Sequence, residues 1–339
     1  MPSQTAVLAF LSLFTKVSAW GNLGHTTVAL IAQNFVSPRT TQFAQQLLND
    51  SSSTYLGNIA TWADSYRSTP EGAFSSPLHY IDALDTPPLS CNVDYERDCP
   101  EEGCIVSALA NYTVRVTAKG IPIAEKAKAL KWVVHFLGDV HQPLHVENLE
   151  VGGNGINVTF GGAKTNLHHI WDSNIPEKLR GGNGIGDSKK WAAELTKEIN
   201  KGKFAKSRKS WLDGMSIRNP VDSTMVWARE TNAYVCSAVV PQGEEAVKNQ
   251  ELSGSYYDKA VPVVEAQVAK AGYRLAAWLD LIVGEQDDGH GNGHGRGNAG
   301  KKEAYRLAKN AKRKIELEPW MVEARKARRA ASWLCVHDH

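Results

Sequence analysis

A chain of 339 residues with 42% hydrophobic residues and ten tryptophans can bury a sizeable core, which excludes a wholly disordered protein and allows one large domain or two modest ones. The formal net charge of +2 excludes a uniformly polybasic or polyacidic chain; residues 301–330 hold eleven Lys/Arg against four Asp/Glu, so the basic character lives in the tail and the body is mildly acidic. Beyond the N-terminus no run approaches the ~20 uncharged apolar residues that span a bilayer, so a soluble mature protein is expected.

Residues 1–19 read as a secretory signal: an apolar run at 6–14, then Val17-Ser18-Ala19, small residues suited to signal peptidase. Lys16 comes late for such a signal, and the rival reading is a short buried helix. Apolar residues recurring at three- and four-residue spacing predict helices over 25–35, 54–66, 105–117, 125–140, 221–239 and 256–283, with Pro38 and Pro122 at helix starts. The stretch 68–88 is a Pro- and Ser-rich loop carrying His79-Tyr80-Ile81-Asp82. Residues 156–160, after Gly152-Gly153-Asn154-Gly155, alternate like one strand of a small hairpin. The fold class is therefore all-α with a small β-hairpin. Residues 285–339 form a separate tail. Its run 289–300 reads as a glycine-rich linker, where His290 and His294 are more simply solvated than metal-bound, and a basic segment follows. That segment could touch nucleic acid or an anionic surface, but the sparse aromatics favour an appendage.

Export agrees with the cysteines. Cys91, Cys99, Cys104 and Cys236 make an even set, with Cys335 left over in the tail. Of three connectivities, Cys99–Cys104 closes most easily around Pro100 and Gly103, leaving Cys91–Cys236 as a long-range staple; a four-cysteine metal site lacks any Cys-x-x-Cys pair. Asn49, Asn111 and Asn157 each head an Asn-x-Ser/Thr sequon and are glycan candidates.

The densest chemistry lies at 135–147, which places His135, Asp139, His141, His145 and Glu147 beside an apolar helical segment. Residues four apart share a helix face, so His135 with Asp139, and His168 with Asp172, each present an imidazole and a carboxylate together. One such pair is ordinarily a surface ion pair. Two pairs plus His145, close to tryptophan and leucine, favour a metal site with the nitrogen and oxygen donors that suit zinc. Upstream, cleavage after Ala19 would make Trp20 the N-terminus, whose amine and carbonyl oxygen can chelate a metal in a five-membered ring, with His25 nearby.

The blocks Trp-Ala-Asp-Ser-Tyr-Arg at 62–67, His79-Tyr80-Ile81-Asp82, Gly-Asp-x-x-Gln-Pro-Leu-His at 138–145 and Asn-Leu-His-x-x-Trp-Asp at 166–172 identify a resemblance. Over residues 20–284 the chain resembles the type I nucleases of fungi and plants, trinuclear-zinc, single-strand-specific nucleases and 3′-nucleotidases related in fold to bacterial zinc-dependent phospholipase C. The resemblance implies three Zn2+ sites. Asp64, His79, His135 and Asp139 would hold one, Trp20 with His25 and a shared Asp139 a second, and His145, His168 and Asp172 a third. It implies a water or hydroxide between the close pair that attacks phosphorus, with the third zinc stabilising the departing 3′-oxygen. Asp64 would orient that water and Arg67 would bind phosphate, while Tyr80 would stack on a base and Asp82 would hydrogen-bond its edge. His141 and His169 match no family ligand; His141 is read as supporting a ligand or the helix end, and His169 as the neighbour of a ligand. Glu147 is read as orienting a ligand or facing solvent. The expected protein is a secreted monomer, not stably membrane-associated, that cleaves single-stranded DNA and RNA to 5′-phosphorylated products and acts on 3′-nucleotides. Its rivals are a phospholipase C-like lipid phosphodiesterase and a secreted protein with purely structural zinc.

Overall fold

Helix α1 (Asn22–Phe35) is buried on every side from Leu23 to Ala32, and a helix apolar all round belongs at the centre of a bundle. The computed structural model describes residues 20–284, 319 and 322–328. The expected signal segment, His290, His294, Cys335 and most of the tail lie outside these residues.

After α1 come α2 (Pro38–Leu48), α3 (Trp62–Arg67), α4 (Tyr95–Asp98), α5 (Ile105–Thr117) and α6 (Ile123–Asp139). The turn α7 (Leu149–Gly152) leads into strands β1 (Asn157–Phe160) and β2 (Ala163–Asn166). Then follow α8 (Leu167–His169), α9 (Ile175–Arg180), α10 (Ile185–Lys201), α11 (Pro220–Tyr234) and α12 (Ser255–Gly284). Helices α10 and α12 pack along α1, and α5 packs along α6, which also touches α1. The described residues are thus mainly helical around one core, as the helical periodicity predicts.

Two helical expectations need correction. The stretch 54–66 is not one helix: a tight turn at Gly57–Ile59 is followed by α3. The break leaves the Ala60 carbonyl free to accept from His135 Nδ1 at 2.7 Å, instead of from a continuing helix. Helix α10 is one that the sequence periodicity does not predict. Its apolar strip, Trp191, Ala192, Leu195 and Ile199, is fully buried, but the lysines and glutamates around it hide the period.

The hairpin is antiparallel with Asn157 opposite Asn166 and Phe160 opposite Ala163. Gly161 and Gly162 turn it at φ +62° and +79°, the left-handed geometry that a tight two-residue hairpin turn requires. Strand β2 ends at Asn166, whose side chain accepts from the His169 N–H at 2.8 Å and starts the helix that carries His168. Both expected disulfides are formed, Cys91–Cys236 with Cα atoms 5.9 Å apart and Cys99–Cys104 with Cα atoms 5.3 Å apart.

Candidate metal centre

The last turn of α6 delivers His135 and Asp139 into the interior, both fully buried. Asp139 faces two ways. Its Oδ2 lies 3.0 Å from His79 Nδ1 and 3.3 Å from His135 Nε2, while its Oδ1 lies 3.0 Å from His25 Nε2 on α1. From α3, Asp64 Oδ1 approaches His135 Nε2 to 3.6 Å and His79 Nδ1 to 3.9 Å. A tetrahedral zinc with bonds of 2.0–2.1 Å holds its ligand atoms roughly 3.3 Å apart, so these separations fit an ion at the centre. Gly138 makes the second half possible: a Cβ there would meet His25 Nδ1 at 2.8 Å.

A third group stands beside the first two. His168 Nε2 lies 3.0 Å and His145 Nε2 3.9 Å from oxygens of Asp172. Asp172 sits on a π-type turn (Ile170–Asn174) rather than a regular α-helix, yet the four-residue spacing still brings it onto His168. The groups are tied through the backbone. His145 Nδ1 donates to the His79 carbonyl at 2.8 Å, and the Ile81 N–H donates to the His145 carbonyl at 2.9 Å.

Three of the expected ligands use their second ring nitrogen on main-chain carbonyls: His135 on Ala60, His145 on His79, and His168 on Gly152 at 2.6 Å. That leaves Nε2 as the lone-pair nitrogen, the arrangement that orients a metal-binding imidazole. The inward atoms His25 Nε2, His145 Nε2, Asp139 Oδ1 and Asp172 Oδ2 are buried beside oppositely charged neighbours without a hydrogen bond of proper geometry, and buried polar atoms of this kind call for an ion or water.

The electrostatics point the same way. Burial opposes the charge on Asp139, yet His135 and His25 hold it well below the usual carboxylate range. Against its own burial, His135 is pushed up to about 9 by Asp139 and Asp64. Burial lowers His145 to about 4 and, with Arg67, lowers His79 to about 3. The interior thus gathers carboxylates that need a positive charge, which His135 answers when no ion does, and two imidazoles, His79 and His145, that resist protonation, a donor set that suits a divalent cation.

The other histidines are separated by geometry. His141 donates from Nδ1 to the Leu137 carbonyl at 2.8 Å and accepts at Nε2 from Arg274 at 2.9 Å, so neither nitrogen is available to a metal. His169 joins none of the metal-capable groups among the described residues. Glu147 neither faces solvent nor approaches a ligand set: it is buried, accepting from the Asn148 and Leu149 N–H groups at 2.8 Å and from Asn232 at 3.2 Å. Gln142 is a functional residue that its sequence block does not single out. Its Nε2 donates to Asp172 Oδ1 at 2.5 Å and its Oε1 accepts from the Leu144 N–H at 2.5 Å, fixing both the carboxylate and the turn to His145.

Trp20 is fully buried at the start of the described chain, its carbonyl 3.2 Å from the His25 N–H. Arg67 Nη2 lies 3.2 Å from Asp64 Oδ1. Tyr80 and Asp82 sit on the extended segment that leaves His79, lining a cleft with Pro77, Asp98 and Pro100. Burial raises Asp82 to about 6, with Arg328 opposing the shift. Asn49 and Asn157 are exposed and Asn111 is half-buried on α5. No helix among the described residues is long and apolar enough to cross a membrane.

Comparison of the sequence with known proteins finds a family and several relatives. The family model described as S1/P1 Nuclease matches residues 20–284. The chain is 52% identical to Nuclease S1 of Aspergillus oryzae over 285 residues, covering 84% of this chain and 98% of the relative. It is 48% identical to Nuclease P1 of Penicillium citrinum over 267 residues, covering 79% and 99%. Endonuclease 3 of Arabidopsis thaliana is 30% identical over 287 residues, covering 82% and 93%.

Proposed function

The chain belongs to the S1/P1 nuclease family, and from that premise we propose that it is a secreted, zinc-dependent endonuclease cleaving single-stranded DNA and RNA to 5′-phosphorylated products, with 3′-nucleotidase activity. The observation that carries the reading is the two-sided carboxylate of Asp139, which sets one oxygen against His25 and the other against His79 and His135. A purely structural site needs no such shared ligand. In this reading residues 20–284 are the catalytic domain and act as a monomer, residues 1–19 are removed, and residues 285–339 are an appendage.

Three zinc ions would be held by Asp64, His79, His135 and Asp139; by Trp20, His25 and Asp139; and by His145, His168 and Asp172. Bound there, zinc supplies an activated water near neutral pH and polarisation of the phosphate oxygens. The chain's own groups do the positioning. Asp64, within reach of both His135 and His79, can also take the proton of the attacking water. Arg67, one helical turn from Asp64 and held against it, presents a planar, permanently charged fork to a phosphate oxygen. That contact strengthens as charge builds on the equatorial oxygens in the transition state. Tyr80 offers a π-face to a base, and Asp82 an acceptor to the base edge. A base must leave its stack to reach them, which a duplex resists, so single strands are preferred.

The test uses the zinc-loaded protein beginning at Trp20, assayed on single-stranded DNA, duplex DNA, adenosine 3′-phosphate and phosphatidylcholine vesicles. Hydrolysis of the single strand and the 3′-phosphate, with little action on the duplex, is expected. Hydrolysis of phosphatidylcholine but not of nucleic acid would overturn the reading in favour of a lipid phosphodiesterase. N-terminal sequencing of the exported protein checks the cut before Trp20.

A further inference from the structure

The cleft beside Tyr80 is not empty: a segment of this same chain sits in it. Residues 322–328 are helical, and Arg325 and Arg328, three apart, lie on one face of that helix. The Arg328 guanidinium stands 4.1 Å from the centroid of the Tyr80 ring. Its Nε lies 3.1 Å from Asp82 Oδ1, and its Nη1 donates to the Val151 carbonyl. Gly152, at φ +63°, leaves the space the group fills, since a Cβ there would meet Nη1 at 2.5 Å and Nη2 at 2.8 Å. Arg325 lines the same cleft with Tyr80 and Asp82, and donates to the Arg97 carbonyl. Arg328 is buried, 4% exposed, in a segment whose neighbours Lys326 and Ala327 are exposed.

Chemically, this is how a nucleobase would be held. A guanidinium is flat, stacks on an aromatic face and presents N–H donors along its edge to a carboxylate. A base bearing an amidine-like edge would make the same two contacts, one with Tyr80 and one with Asp82. Both cannot be there together.

Resting on the nuclease reading above, we propose that the C-terminal segment is an internal competitor for the substrate's base, with Arg328 filling the Tyr80–Asp82 pocket until it is displaced or the tail is cut away. The acidic body and basic tail supply complementary charge. Tethering supplies the rest, because covalent attachment makes the encounter intramolecular, at an effective concentration that linker length sets. Residues 285–321 join it to α12, and the glycine-rich run 289–300 offers a place to sever it. A pocket filled nine-tenths of the time raises the apparent KM about tenfold without touching the reacting groups.

The experiment compares the zinc-loaded protein from Trp20 to His339 with its Arg328→Ala and Lys326→Ala variants. Lys326 carries the same charge but is exposed and paired with Glu323 at 2.7 Å. Hydrolysis of adenosine 3′-phosphate is followed, with deoxyadenosine 5′-phosphate as a binding probe. Arg328→Ala should lower KM and the probe's Kd about tenfold with kcat unchanged, Lys326→Ala should change neither, and cutting the parent within 289–300 should reproduce Arg328→Ala. Equal KM values in active parent and Arg328→Ala proteins overturn the competitor and leave the nuclease reading standing. So does an equal gain from Lys326→Ala, which marks a general charge effect. Inactivity of both parent and variant on adenosine 3′-phosphate, and on single-stranded DNA assayed beside it, overturns the nuclease reading, and the competitor with it.

Discussion

Asp139→Asn keeps the shape of the side chain and changes one oxygen into an amide nitrogen. The carboxylate now serves His25 through Oδ1 at 3.0 Å and the His79–His135 pair through Oδ2 at 3.0 and 3.3 Å. Asparagine has one acceptor oxygen, so it can serve one side only. On the other side its NH2 donates into the imidazole lone pair that an ion would use, closing that site. A full negative charge also leaves a fully buried position. Loss of a single electrostatic contact in a catalytic site costs about 10²–10³ in rate. Because both members of the close pair rest on this carboxylate, at least a ~10³-fold fall is expected, about 4 kcal/mol of transition-state stabilisation. Bound zinc should fall by at least about one ion per chain, within the ligand counts of such sites. Elemental analysis after gel filtration, initial rates on single-stranded DNA and a thermal melt provide the three readouts. Activity near that of the parent at full zinc content would refute the shared-ligand reasoning, since an amide cannot hold both ions.

Gly138→Ala separates stability from function. Alanine is better than glycine inside a helix by about 1 kcal/mol, yet its Cβ would meet His25 Nδ1 at 2.8 Å. A metal-free Tm that is unchanged or lower, the helix gain being offset by crowding against the buried His25 ring, with about 10–100-fold weaker zinc binding is expected, and unaltered zinc affinity would show that His25 is not a ligand. Glu230 bonds Arg274 at 2.5 Å and also Lys270, and although burial opposes its charge these cations lower its pKa from 4.5 to about 2. Its folded pKa is depressed, so the stability it adds is complete above about pH 4.5 and is lost as pH falls toward 2. Glu230→Gln should cost roughly 2 kcal/mol at neutral pH, allowing for partial exposure, and the difference from the parent should vanish near pH 2; a gap that widens in acid would contradict this. Opening Cys91–Cys236, which spans 145 residues, should cost about 2–5 kcal/mol by calorimetry, and opening Cys99–Cys104, which spans 5, distinctly less. The reverse order would show that loop entropy is not the governing factor.

Much of the site was legible because a helix is a local object. Four-residue spacing sets His135 against Asp139 whatever the rest of the chain does, and the same holds for His168 and Asp172. Local pattern failed where a helix is interrupted for a distant partner, as at Ala60, whose carbonyl serves a histidine 75 residues away. It failed again at α10, whose buried strip lies among charged residues. Between His141 and His145, four apart on the same stretch, spacing makes no choice. Arg274, 133 residues downstream, makes it by occupying Nε2 of His141.

By itself the sequence determined the types of donor, their pairing along each helix and the family to which the chain belongs, because those depend on side-chain chemistry and a 3.6-residue period. The tertiary structure alone decided which lone pairs converge. Imidazole and carboxylate donors act along directions, and those directions are fixed by carbonyls and side chains brought in from remote segments. Asp139 shares its two oxygens because α1 passes one side of α6 and the His79 segment passes the other. Arg328 reaches the Tyr80–Asp82 cleft for the same kind of reason: the folded chain, not the spacing of its residues, sets a tail guanidinium against an aromatic face almost 250 positions earlier.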